Sequence, residues 1–131
     1  MKNLEQLFKG LADQNRLRIL HLLLHGELCV CDIQYVLACP QSNVSRHLTY
    51  LKNSSLVLDR REGTRIYYRL SGSHDPVQHQ LFQFLRAAFK DQMELSEDTR
   101  RLKKAIANGS CTASEFHPYS ELVRLRTTTH S

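Results

Sequence analysis

The sequence has no run approaching the roughly 20 apolar residues that a membrane-spanning helix requires, so no membrane partner is expected. Its start, Met1-Lys2-Asn3-Leu4-Glu5, enters a charged helical pattern and lacks a secretory apolar region, which points to the cytoplasm. There is no Cys-X-X-Cys pair, no glycine-rich phosphate loop and no Gly-X-Ser-X-Gly elbow. These absences argue against a thiol oxidoreductase and against enzymes in general. No internal repeat is present, and 131 residues suit one domain with one modest core.

What is present is basic. Lys and Arg number 18 against 13 acids, and the isoelectric point is near 9.2. Such a balance suits a polyanionic partner, but the location of the charge decides more than its sum. In a reducing compartment the four cysteines read as metal ligands or redox sensors rather than disulfides.

Leu4, Leu7, Phe8 and Leu11 form one apolar helical face, which Gly10 begins to end. Asp13 is placed to N-cap a second helix carrying Leu17, Ile19, Leu20, Leu22, Leu23 and Leu24, stopped by Gly26. A short third helix buries Ile33, Val36 and Leu37. Ala38-Cys39-Pro40 breaks it, with Pro40 in the first turn of a fourth helix whose inner residues are Val44, Leu48 and Leu51. Leu56–Arg61 and Arg65–Leu70 read as strands around Glu62-Gly63-Thr64. Ile66, Tyr68 and Leu70 share one face of the second strand, and Arg65, Tyr67 and Arg69 the other.

Asp75-Pro76 opens a long helix predicted to run to about Asn108-Gly109 with two apolar rows. One row is Val77, Leu81, Phe84 and Ala88; the other is Phe82, Leu85, Phe89 and Met93. One can cover its own domain and leave the other for a second subunit, so a homodimer is expected. The expected fold is α+β, mainly helical. It is a winged helix-turn-helix with a two-stranded hairpin wing over residues 1–109, followed by a flexible tail, 110–131, with one short helix near Ser120–Arg126.

Two short helices joined by a tight turn, the second polar and basic outside, describe a helix-turn-helix. Gln41, Ser42, Ser45, Arg46 and His47 lie in the first two turns of the fourth helix, where contacts to base edges and phosphates concentrate. Lys52 suits the backbone, and Arg60, Arg61 and Arg65 surround the wing tip. His47 could equally pack inside, and Arg16 and Arg18 could serve phosphates or internal ion pairs. Double-stranded DNA is therefore the expected partner.

Cys29 and Cys31 precede this unit. Two small buried hydrophobes are the ordinary alternative for such a pair. The ordered segments Phe8–Leu20, Glu27-Leu28-Cys29-Val30-Cys31-Asp32, Gln41–Leu48 and Tyr67-Tyr68-Arg69-Leu70 closely resemble the ArsR/SmtB metal-responsive repressors, in particular the arsenical-resistance branch. The resemblance spans about Leu4–Leu70, with the following helix matching by pattern. It implies a homodimer joined through its outermost helices, bound at a resistance promoter. It further implies release when As(III) or Sb(III) binds Cys29 and Cys31.

Soft thiolates also suit Cd(II) and Pb(II). The family's cadmium and lead sensors add cysteines from an N-terminal extension, and no cysteine precedes Cys29 here. Arsenic sensors with this motif carry a third cysteine where this chain has Gln34. Cys39, Cys111, solvent or a cellular thiol are the candidates for that third position. Cys39 would stand roughly 12 Å from Cys31 along a helix. A zinc site on the long helix is not expected, since Lys90 follows His79 where a second His would be needed. In a regular helix, residues two apart point about 200° apart, so joint ligation by Cys29 and Cys31 would need local unwinding. Oxidation of Cys29 and a cytosolic metal buffer complete the alternatives.

Overall fold

The computed structural model describes residues 1–72 and 75–108. The expected tail, its short helix and Cys111 lie outside them. Six helices and one sheet follow in order: α1 (Lys2–Leu11), α2 (Gln14–Leu23), β1 (Leu28–Cys29), α3 (Val30–Leu37), α4 (Gln41–Asn53), β2 (Val57–Glu62), β3 (Arg65–Leu70), α5 (Pro76–Phe89) and α6 (Met93–Asn108). No helix among the described residues is long and apolar enough to cross a membrane.

α2 is the central element. Asp13 caps it by accepting the Arg16 amide at 3.1 Å, and Ile19, Leu20, Leu22 and Leu23 are buried. Around it pack Ile33 and Val36 of α3, Val44, Leu48 and Leu51 of α4, and Leu56, which is buried just before β2. Each such Leu or Ile contributes about 1.5–3 kcal/mol by leaving water. This shared core positions the helix-turn-helix.

α1 runs through Gly10 rather than ending there. The reason is packing: a Cβ on Gly10 would lie 2.9 Å from Leu56 Cδ1 and 3.0 Å from Ser54 Oγ. Gly10→Ala is therefore expected to lower unfolding free energy by about 1–3 kcal/mol through overpacking, measured by urea denaturation.

The turn of the helix-turn-helix uses Ala38 in the left-handed conformation, φ 55° and ψ 41°, and its amide bonds Gln34 O at 2.9 Å. Pro40 stands at the N-cap of α4, one residue before the helix. Arg101 of α6 donates to Val36 O at 3.1 Å and Tyr35 O at 2.9 Å, satisfying carbonyls at the end of α3.

The hairpin has a two-residue loop, Gly63-Thr64, with Glu62 paired to Arg65. Gly63 has φ +63°, which suits the first loop position of a type II′ turn. The sheet has a third strand that the sequence pattern does not reveal. β1 joins β3 antiparallel, Leu28 beside Tyr68 and Cys29 beside Tyr67, giving the order β1-β3-β2.

The long terminal helix is in fact two, interrupted at Lys90-Asp91-Gln92. α5 buries Gln78 and Leu85 and half-buries Phe82 and Phe89, while α6 buries Leu95, Asp98, Leu102, Ala105 and Ile106. On one continuous helix, Leu102 would point roughly 100° away from Leu85, so a straight rod could not seat both rows. Met93 falls outside the α5 row and is 88% exposed. Of the other row, Val77, Phe84 and Ala88 face outward, with Val77 56% and Phe84 65% exposed, while Leu81 is half-buried against the core.

Candidate nucleic-acid interface and thiol pair

α4 exposes Gln41, Ser42, Ser45 and Arg46 on the side opposite its buried Val44, Leu48 and Leu51. Arg46 makes no ion pair among the described residues, so its guanidinium is available to a base edge or phosphate. His47 is placed differently. Its side chain is 12% exposed, 3.9 Å from Asp13 and 3.4 Å from the Arg16 guanidinium.

Arg16 is internal in role. It donates to Gly10 O at 2.9 Å and Lys9 O at 3.0 Å and lies 4.1 Å above the Tyr50 ring. It thereby holds the end of α1 against α4. Arg18 is likewise internal, bonded to the buried Asp98 at 2.8 and 3.0 Å. Lys52 is exposed but contacts Asp59 at 3.1 Å.

The wing arginines divide. Arg61 is exposed and carries no ion pair among the described residues. Arg60 is committed to Glu27, at 2.7–3.0 Å, and to Glu62 at 2.6 Å. Its guanidinium also lies 4.6 Å over the Tyr67 ring. Arg65 is half-buried and near enough to Cys29 to favour its thiolate. The sequence pattern does not single out Glu27 or Tyr67 as site residues. Glu27 stands at the head of the cysteine segment, the one signal that could have marked it.

Cys29 and Cys31 are brought together. Cys29 is extended, φ −72° and ψ 148°, as the N-cap of α3, and Cys31 lies in that helix's first turn. Because Cys29 is not helical, the 200° separation does not apply, and the two sulfurs are 2.9 Å apart. An ion with metal–sulfur bonds of about 2.3 Å and near-tetrahedral angles holds its sulfurs roughly 3.7 Å apart. The pair need open by less than about 1 Å. No unwinding is required.

Burial pushes the Cys29 thiol above its ordinary value of 9.0, and the charge of Asp32 adds to this. The amides of Cys31 and Asp32 and the Arg65 charge work in the opposite direction. The net direction favours the protonated thiol at Cys29. Cys39 packs against the core at the turn. Among the described residues, no cluster of three His, Cys, Asp or Glu side chains forms around the pair or elsewhere.

Cys29 and Arg60 each pair with Tyr67 from opposite sides of β3, so the three side chains share one sheet face. Leu28, Tyr68 and Asp59 make the corresponding row behind, with Leu28 and Tyr68 in the core. The thiol thus belongs to a row ending at the Glu27–Arg60 tie, while Cys31 belongs to the helix packed on α4.

Residues 13–58 match the family described as bacterial regulatory protein, arsR family. The chain is 54% identical over 67 residues to the arsenical resistance operon repressor of Escherichia coli, covering 50% of this chain and 57% of that protein. It is 36% identical over 92 residues to a cadmium resistance transcriptional regulatory protein CadC homolog of Staphylococcus aureus, covering 70% of this chain and 71% of that one. A homodimeric winged helix-turn-helix DNA-binding domain from Mycobacterium bovis, a possible ArsR-family transcriptional regulator, is similar in structure. Its TM-score is 0.60 at 34% identity, covering 70% of this chain and 82% of that one.

Proposed function

Since the chain belongs to the ArsR family of bacterial regulatory proteins, we propose that it is a homodimeric repressor released from double-stranded operator DNA when As(III) or Sb(III) binds Cys29 and Cys31. The observation that carries this reading is the 2.9 Å sulfur pair, one member in the sheet with the wing and the other in the helix packed on α4. An ion that bonds both sulfurs forces them apart, and the displacement falls on β1 and α3 together. Operator affinity drops to the extent that the ion prefers this altered arrangement. Solvent, a cellular thiol or Cys111 completes the coordination.

In the dimer, the exposed apolar stripe of α5 meets its copy, with Leu4 and Phe8 of α1 extending the contact. Two α4 helices then face successive turns of the major groove, so the operator is two-fold symmetric. Gln41, Ser42, Ser45 and Arg46 read it, and Lys52, Arg61 and Arg65 follow the backbone. Arg60 braces the wing and His47 supports α4 from within.

The test is fluorescence anisotropy of the reduced protein on DNA upstream of its own gene, titrated separately with As(III), Sb(III), Cd(II), Pb(II), Zn(II) and peroxide. Release by As(III) and Sb(III) at the lowest concentrations supports the proposal. Release by Cd(II) or Pb(II) alone assigns the other soft-ion class, and release by peroxide without metal assigns thiol oxidation.

The two wing arginines give a separate expectation. Arg61→Ala is expected to reduce the slope of log affinity against log salt by about 1 for each phosphate it no longer neutralises. Arg60→Ala is expected to leave that slope unchanged while lowering thermal stability, because its partners are Glu27 and Glu62. Arg46→Ala is expected to weaken specific binding by about 1–3 kcal/mol per half-site.

A further inference from the structure

An open cleft of about 580 Å³ lies between α2, α5 and α6, away from both the DNA-reading face and the thiols. That volume falls within the range typical of small-molecule sites, roughly 300–1,000 Å³. His21 enters from α2 and His25 from just beyond its end, Arg86 from α5 and Lys90 from the break that follows it. Ser96 and Thr99 close it from α6.

The electrostatics are one-signed. No carboxylate lines the cleft, and Arg86 and Lys90 are exposed with no ion pair among the described residues. Asp98 acts on His21 from nearby, but both its oxygens accept from Arg18, at 2.8 and 3.0 Å. Glu94 is bonded to Gln14 at 2.9 Å. Two cations therefore face a concavity beside which Asp98 and Glu94 are already engaged.

The floor is apolar with fixed imidazoles. Thr99 Oγ1 donates to Leu95 O at 3.1 Å and lies 3.4 Å from Nε2 of both His21 and His25. His21 Nδ1 is buried without a hydrogen-bond partner. A metal on Nε2 would need the proton on Nδ1, leaving a buried N–H with no acceptor. Two His at i and i+4 thus do not make a metal site here. The Phe89 ring meets His21 edge-on at 5.7 Å and, with Leu24, supplies an apolar wall.

We propose that this cleft binds a small amphipathic organic anion of the aromatic carboxylate or phosphate monoester class. The anionic group sits against Arg86 and Lys90, and the apolar body lies on Phe89, Leu24 and the imidazoles. The occupant bridges α2 to the helix that carries the outward apolar stripe, so it ties the DNA-binding core to the subunit contact.

The test uses the reduced full-length chain and the imidazole NMR resonances of His21 and His25, titrated with benzoate, phenyl phosphate, benzamide, inorganic phosphate and Zn(II). Benzoate and phenyl phosphate are expected to shift both histidines saturably at millimolar concentration or below. Benzamide and inorganic phosphate should bind at least tenfold more weakly. The Arg86→Gln/Lys90→Gln variant, whose substitutions are exposed and leave the core intact, should lose at least tenfold in benzoate affinity. Equal response to benzamide, unchanged affinity in the variant, or saturation by stoichiometric Zn(II) without any anion response would overturn the proposal. None of these outcomes bears on the thiol pair.

Discussion

Reduced protein carrying Cys29→Ser is expected to bind operator DNA as tightly as the parent, within about twofold, and to remain bound when As(III) is added. Release in the parent reflects a coupling between sites, and such couplings typically amount to about 1–3 kcal/mol, a 5–150-fold loss of affinity. Serine removes that coupling because its hydroxyl is a hard, weakly acidic oxygen with little affinity for a soft ion. The substitution is close to isosteric at a buried site, 2% exposed, beside the Cys31 amide. Folding and DNA binding should therefore survive. Cys31→Ser should behave alike, since either change leaves a single sulfur. Cys39→Ser should release as the parent does, because Cys39 packs at the turn beyond α3. Anisotropy titrations of the three variants check this. Parent-like release from Cys29→Ser would place the inducer elsewhere.

The largest stability effect is expected at Arg18. Its guanidinium, 18% exposed, is bonded through two nitrogens to the Asp98 carboxylate, 3% exposed, and so fastens α2 to α6. Arg18→Met leaves that carboxylate buried without its counter-ion, which costs about 3–5 kcal/mol. For a domain of this size that is a large share of the total. The double variant Arg18→Met/Asp98→Leu should recover most of the loss, because it is the uncompensated charge, not the missing pair, that destabilises. Urea unfolding of the parent and both variants measures it. A double variant as unstable as the single would show that the pair itself supplies the stability.

Much of this was legible in the residues. The periodicities of Ile19, Leu20, Val44 and Leu48 found the core faces, and Asp13, Gly26 and the Ala38-Cys39-Pro40 break located helix ends, because caps and turns act locally. The two rows of α5 were visible for the same reason. The helix break at residues 90–92 was missed because no proline or glycine marks it. The only sign is a change of phase between Leu85 and Leu102, enforced by the surface of α3. β1 was missed because a two-residue strand has no periodicity.

The exposed polar stripe of α4 was legible. The different work of Arg60 and Arg61 was not, since adjacent arginines look alike until Glu27 is brought beside one of them across 33 positions. The geometry of the thiol pair was misjudged for a related reason. Helical spacing was applied to Cys29, whose extended backbone is set by pairing with Tyr67.

That pairing has a kinetic consequence. β1 holds the wing by only two residues at a sheet edge. Detaching it breaks a few hydrogen bonds and leaves the β2–β3 hairpin and every helix whole. Motions of that size belong to the nanosecond-to-microsecond class of loop displacements rather than to unfolding. Under the proposed mechanism, the lifetime of the protein on its operator is then set by how fast an ion bridges both sulfurs, with no slow rearrangement between signal and response.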